Sequence, residues 1–467
     1  MLFSSITFLF DFLPAVLVLY FILPGRMRNA VLLATSLFFY FYGEPRYLLL
    51  MLFSSLVDYT AGLLIDRYRG SPGARWALVG SICCNLGILG FFKYADFFLE
   101  NLNALTGASF SLLYIPLPIG VSFFTFQTMS YSIDVYRGEA PVQRNLLRFA
   151  TYVSLFPQLV AGPIVRYQTV AEEMEHRRAD ADDIALGVRR FVLGLGKKVL
   201  IANLMGELNA ALLGAAVPSV LGGWLSALAY TLQIYFDFSG YSDMAIGLGS
   251  LFGFHFLENF DHPLVSKSIT EFWRRWHISL GVWFREYLYL PLGGNRVGRG
   301  KWVRNLLIVW FATGFWHGAS WNYVLWGLLF GLLLALEKLA LLRRLEQFPG
   351  WAQHLYTLFF VLLSFVLFQH EDLAVAAAQL RGMFGLAGLP LLSAEALYYL
   401  KSYAVLLAAA CVGATALPQQ LALWAAERRQ DKEGAPLPEA IALAVLLLVC
   451  TAYLADASFN PFLYFRF

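Results

Sequence analysis

The chain of 467 residues is 59% hydrophobic and only 14% charged, with 34 Lys plus Arg against 31 Asp plus Glu and a net charge of +3. Ordinary globular domains carry about 25% charged residues. So much apolar surface is hidden only by lipid, which excludes a soluble enzyme, a disordered chain and a disulfide scaffold and makes membrane lipids, not nucleic acid, the surroundings to expect.

In chain order, Met1 to Leu23 is apolar, lacks a basic leader and reaches Pro24 without a small-residue cleavage site, so it reads as a retained first span. Apolar runs lie near residues 5–23, 30–43 with 47–65 as a hairpin, 77–94, 112–133, 149–164, 217–236, 306–342, 354–369, 399–417 and 437–456. At roughly 20 residues per crossing they predict about eleven passes and an all-α polytopic membrane protein. Arg26 and Arg28 fall on one side, the turn Glu44–Arg46 on the other, and Arg67, Arg69 and Arg75 return to the first, which the positive-inside rule makes cytoplasmic. Cys83, Cys84, Cys411 and Cys450 sit in apolar runs without ligand spacing and read as buried small hydrophobes, with no metal site. With no soluble insert and no visible repeat, residues 1–467 read as one membrane domain.

Two stretches interrupt the apolar pattern. From Arg166 to Lys198 mixed charge predicts a solvated loop and helix at a membrane surface. From His262 to Arg304 eight basic residues, including Lys267, Arg274, Arg296, Arg299 and Lys301, stand against only Glu271 and Glu286, so this stretch faces the cytoplasm. Within it Ile269, Phe272, Trp273, Trp276, Leu280, Trp283 and Phe284 recur at spacings of three and four, with Lys267, Glu271, Arg274 and Arg285 opposite. That predicts one interfacial helix, aromatic on one face and basic on the other, with His277 at the edge of the apolar stripe. The loop Gly293–Arg296 that follows is glycine-rich and basic.

The run Leu306–Leu342 would make a straight helix about 55 Å long, too tall for a hydrocarbon core of roughly 30 Å. It must bend, and the polar insert His317–Asn322 is the place. The arm before it, Leu306–Trp316, would be only about 16 Å long, which predicts His317 near mid-membrane. An ionisable side chain at that depth belongs in a polar cavity or in protein, so His317 is a functional candidate by location; a histidine satisfied by a neighbouring carbonyl is the alternative. Neutral imidazole, with an ordinary pKa of about 6.5, can take a proton from an attacking hydroxyl, which suits acyl transfer.

Of the seven histidines only His277 and His317 follow a tryptophan. His176 lies in the charged loop, His255 and His262 flank a membrane exit, and His354 and His370 sit at span ends, all places for an interfacial polar tip. Asp237 and Asp243 border a long apolar span and read as helix caps, a proton path being the alternative. The chain has no Gly-x-Ser-x-Gly elbow, phosphate-binding loop or dinucleotide fingerprint, so it carries no serine acyl-enzyme signature.

The phrases Tyr235–Gly247 (YFDFSGYSDMAIG), Thr270–Arg296 (TEFWRRWHISLGVWFREYLYLPLGGNR) and Gly314–Gly327 (GFWHGASWNYVLWG) resemble the membrane-bound O-acyltransferase family, and within it the alginate O-acetylation branch. Leu117–Gly138, Phe156–Tyr167 and the closing Asn460–Phe467 agree, whereas no motif lies between about Val375 and that ending. The resemblance implies transmembrane, re-entrant and interfacial helices around a tunnel, with the motif-bearing region at about 230–330. It puts the catalytic histidine at His317, in the WHG phrase, and a second at His277, in the WRRWH phrase. It implies Trp276, Arg274, Arg296, Arg299, Lys301 and Asn322 as donor or tunnel residues, acetyl-CoA as co-substrate with no bound cofactor, and His277 as the group that polarises or positions the thioester carbonyl. It further implies a polysaccharide acceptor, a periplasmic serine-type acetyltransferase partner and the bacterial inner membrane. D-alanyl transfer from a carrier protein toward teichoic acid, and a secondary transporter relaying protons through His317 and Asp237, are the competing readings.

Overall fold

A computed structural model describes residues 1–160, 162–427, 437–456 and 463, and every regular element among them is helical. Five helices are long and apolar enough to cross a membrane: Pro45–Arg67, Pro72–Thr106, Trp321–Leu345, Gly350–Gln369 and Leu437–Asp456. The pair Ala394–Ser402 and Ala404–Gly413, bent by 59°, would make a sixth. The chain is thus a polytopic membrane protein with fewer full-length spans among the described residues than its apolar runs suggested. The physical reason is where the apolar residues go. The run at 149–164 folds as Leu146–Ser154 and the single turn Phe156–Leu159, and Phe149 to Val160 are all buried in protein. Hydropathy alone does not distinguish a side chain covered by neighbours from one covered by lipid.

The chain folds as two compact units, Met1–Phe191 with Tyr241–Glu258, and Val192–Gly240 with Asn259–Phe467. In the first, α1 (Leu48–Arg67), α2 (Pro72–Thr106) and α3 (Val121–Arg137) enclose the fully buried Asp58. Its carboxylate accepts hydrogen bonds from Ser81 Oγ (2.5 Å), Asn85 Nδ2 (2.7 Å) and Ser132 Oγ (2.7 Å). The charged stretch beginning at Arg166 is more than a wet face. Arg177 donates to Tyr20 Oη (3.1 Å) and Asn29 Oδ1 (2.6 Å) and lies 4.5 Å from the centre of the Phe254 ring, while His255 bridges Glu173 (2.8 Å) and Asp183 (3.0 Å).

In the second unit α4 (Val220–Leu251, present here through Gly240), α5 (Ile269–Arg275), α6 (Ile278–Phe284), α7 (Arg299–His317), α8 (Trp321–Leu336), α9 (Gly350–Gln369), α10 (Leu373–Met383) and α11 (Ala394–Ser402) pack around a core holding Trp276, Trp310, Trp326, Phe330 and Phe365. Asp237 lies well inside α4, where it is paired at 2.7 Å with Lys198, each side chain 2% exposed, and its Oδ2 accepts the Leu463 backbone N–H (3.0 Å). Asp243, in the first unit, pairs with Arg190 at 3.0 Å. Neither aspartate caps a helix, correcting the capping role: each neutralises a basic side chain from another helix, and removing one member of a buried pair costs about 3–5 kcal/mol. The cysteines are not all buried, contrary to expectation. Cys450 is buried, Cys84 half-buried, and Cys83 and Cys411 are exposed on apolar helices; membership of an apolar run does not say which face a residue takes. The closing phrase Asn460–Phe467, Leu463 apart, lies outside the described residues.

Candidate active site

The expected break at His317 is present. Gly318–Ser320 leave the helix, and α8 returns along α7 as a tight hairpin. Glycines make it tight: a Cβ on Gly314 would sit 2.2 Å from the Tyr323 carbonyl oxygen, one on Gly327 2.2 Å from that of Trp310, and one on Gly318 2.3 Å from the Tyr323 ring. The basic segment Arg299–Arg304 is itself helical and precedes the apolar arm, so α7 runs for 19 residues, about 28 Å. The basic residues occupy its first turns and His317 its last.

His317 is 4% exposed and walled by aromatic rings. The centroids of Trp316 and Trp326 lie 5.1 Å away and that of Phe368 5.4 Å, each at a steep angle. Asn322 fixes one of these walls. Its Nδ2 lies 3.4 Å from the carbonyl oxygens of both Leu367 and Phe368, tying the start of α8 to the last turn of α9 and holding Phe368 against the imidazole.

The segment around His277 is held differently. The expected single helix is two helices of seven residues, α5 and α6, separated at Trp276–His277, with His277 in a left-handed conformation at φ 45°. The predicted stripe survives the break: Ile269, Phe272, Trp276, Leu280, Trp283 and Phe284 are buried, while Lys267, Arg274 and Arg285 are exposed. Tertiary hydrogen bonds compensate the strained residue. Ile278 N donates to Asn259 O (3.0 Å) and Asp261 N to Arg275 O (2.9 Å). The wholly buried Asn259 accepts through Oδ1 from Ser279 N (3.2 Å) and Ser279 Oγ (2.9 Å), and the same atom faces His277 Nδ1 at 3.1 Å. A backbone N–H only donates, so that Asn259 atom is the carbonyl oxygen and His277 Nδ1 carries the proton. Burial pushes the His277 pKa down to about 3, so the ring is neutral and Nε2 holds the lone pair. The start of α5 is secured by the buried Glu337, which accepts from Ile269 N (2.7 Å), Thr270 N (2.8 Å) and Thr270 Oγ1 (2.7 Å).

The two histidines meet at one indole: Trp316 lies 5.1 Å from His317 and 6.1 Å from His277, centroid to centroid. Phe238 closes on His277 edge to face at 4.6 Å, and Trp276 packs among Phe260, Phe272 and Phe365. The basic candidates lie elsewhere. Arg274, Arg296, Arg299 and Lys301 are exposed, and no ion pair engages them among the described residues, whereas the neighbouring Arg275 is held by Glu271 at 3.0 Å. Sequence reading missed Asn259, Phe238, Trp326, Glu337 and Phe368. Phe238 and Trp326 lie within the motif phrases but carry no polar group to mark them, Asn259 and Phe368 stand in ordinary local contexts, and Glu337 acts on the start of α5; only chain reversal brings these residues to the site.

Residues 135–376 match the membrane-bound O-acyltransferase family, and that segment contains both histidines and the hairpin. The chain belongs to this family. It is an O-acyltransferase, which decides against the transporter. The chain is 39% identical to a "Probable alginate O-acetylase" of Azotobacter vinelandii, covering 100% of both chains, and 37% identical to a "Peptidoglycan O-acetyltransferase" of Helicobacter pylori, covering 86% of this chain and 83% of the relative. A "Teichoic acid D-alanyltransferase" of Bacillus subtilis is 28% identical over 46% of this chain and 58% of its own length.

Proposed function

We propose that this acyltransferase takes an acetyl group from cytoplasmic acetyl-CoA and passes it across the bacterial inner membrane for O-acetylation of an exopolysaccharide such as alginate, by way of a periplasmic serine-type acetyltransferase. The observation that carries this reading is full-length identity to a probable alginate O-acetylase, against less than half the chain for the D-alanyltransferase. The exposed cations Arg274, Arg296, Arg299 and Lys301 suit the donor's phosphates, and α7 runs from Arg299 and Lys301 to His317.

In the proposed step His317 takes the proton from the acceptor hydroxyl as its oxygen attacks the thioester carbonyl. The tetrahedral adduct collapses, the C–S bond breaks, and the leaving thiolate takes the proton back from His317, giving an ester and a free thiol. Of the two roles open to His277, polarising or positioning the thioester carbonyl, the second is the one its hydrogen bonding supports. With Nδ1–H committed to Asn259, its neutral ring has no second N–H to offer a carbonyl, so its part is to hold the packing against Trp316 in place. The test is His317→Ala. Loss of a general base costs about 10²–10⁴-fold, so the variant should insert and elute as wild type yet release essentially no acceptor-dependent thiol from acetyl-CoA. Full polymer acetylation by this variant would overturn the assignment.

A further inference from the structure

A cavity of about 330 Å³ lies in the second unit between the start of α4 and the loop joining α10 to α11. Its polar groups are Ser219, Ser226, Gln379 and Ser393; the rest of its lining is aliphatic or glycine, and it contains no Lys, Arg, His, Asp or Glu. At the small end of ligand sites, which run roughly 300–1,000 Å³, it has room for about one sugar ring.

Its polar wall is connected to the candidate active site. Phe368, which packs on His317, is followed two residues later by His370, whose Nε2 lies 2.6 Å from Gln379 Oε1. Gln379 Nε2 reaches Ser226 Oγ at 3.5 Å, and Ser226 Oγ donates to Asn209 Oδ1 at 2.7 Å. His370 thus fixes the Gln379 amide with its NH₂ toward the cavity, where the long contact to Ser226 leaves space for a better partner. Arg299 and Lys301 begin α7 and His317 ends it, so the cavity's link runs to the end remote from the basic residues.

We infer that this cavity is a second ligand site that takes one neutral, hydroxyl-bearing group and excludes anionic ones. The chemistry follows from the lining. Ser219 and Ser393 hydrogen-bond each other and accept backbone N–H groups, so the Gln379 amide is the group that donates to an alcohol oxygen, whereas a carboxylate or phosphate entering here would lose water with no cation to replace it. The inference rests on the acyltransfer reading and narrows it: the group received in this cavity is a neutral alcohol, and an anionic uronate unit of the polymer would be met only by the relay partner.

The test uses the full chain in lipid nanodiscs and two photoaffinity probes, a diazirine-bearing ethyl glucopyranoside and its glucuronate counterpart. The neutral probe should cross-link to peptides containing Gly222–Ser226 or Ala378–Gly382 about tenfold more than the glucuronate does, a difference of about 1.4 kcal/mol, and excess methyl glucopyranoside should compete. Gln379→Leu should lose most of this labelling, as should Ala387→Trp, which fills the cavity from a loop and keeps the test alive if the first variant misfolds. Equal labelling by the glucuronate probe, capture of bulk lipid alone, or undiminished labelling of Ala387→Trp would overturn the inference. Thiol release from acetyl-CoA in the same preparation, compared with His317→Ala, reports separately on acyl transfer.

Discussion

The two histidines occupy surroundings built on opposite principles. His317 ends a hairpin held by backbone contact, with glycines at 314, 318 and 327 where a Cβ would collide, and its walls are rings that can shift by fractions of an ångström. His277 sits at a strained break held by directed hydrogen bonds, and Asn259 dictates its tautomer. The His317 backbone is thus fixed by close packing of the hairpin, whereas at His277 directed hydrogen bonds fix both the orientation of the ring and the nitrogen that carries its proton.

The hairpin should be the more fragile to added volume. Gly314→Ala must push the Tyr323 carbonyl away, and overpacking of this kind costs about 1–3 kcal/mol or more, so we expect loss of folded yield and of thiol release. Gly80→Ala, whose added Cβ meets nothing within 4 Å, should behave as wild type. Equal tolerance of both would show that the hairpin is not glycine-packed.

The break should instead be sensitive to lost polarity. Asn259→Ala removes the acceptor for three donors, at about 1–3 kcal/mol for a buried group left unpaired. We expect a fall in kcat of roughly tenfold or more with little change in donor KM, and partial recovery in Asn259→Asp, whose carboxylate accepts the same bonds. A change confined to KM would argue against a positioning role.

A smaller effect is expected far from either histidine. Replacing Arg296, Arg299 and Lys301 together by Gln should raise the KM for acetyl-CoA severalfold and flatten its salt dependence, since exposed charges act through screened contacts. An unchanged KM at low and high salt would remove them from donor binding.

Stability should also depend on pH, and the two histidines His277 and His255 should act with opposite sign. Folded His277 has a pKa of about 3 against about 6.5 unfolded, so the unfolded chain binds a proton that the folded chain refuses, and stability falls as pH drops from 6.5 toward 3. Hydrogen bonds that the protonated ring donates to the Glu173 and Asp183 carboxylates raise the pKa of His255. Its contribution is complete below the ordinary value and is lost as pH rises through the raised one; it is weaker because the side chain is 57% exposed. Thermal unfolding followed by tryptophan fluorescence should show a flattened acid limb in His277→Gln and a slighter change on the alkaline side in His255→Gln.

The sequence by itself determined the solvent, the helical class, the break at His317, the buried stripe from Ile269 to Phe284 and the exposure of Arg274, Arg296, Arg299 and Lys301, because periodicity, length and charge are local properties. Its long phrases also carried the family. The tertiary structure decided what depends on partners distant in the chain. Apolar runs such as 149–164 became protein core rather than spans once neighbours covered them. The stripe broke at His277 because Asn259, 18 residues upstream, offered its hydrogen bonds to the break. Asp237 became half of an ion pair because Lys198, on another helix, reached it. No local pattern encodes such pairings, since each exists only once the chain has folded back and excluded water from both members.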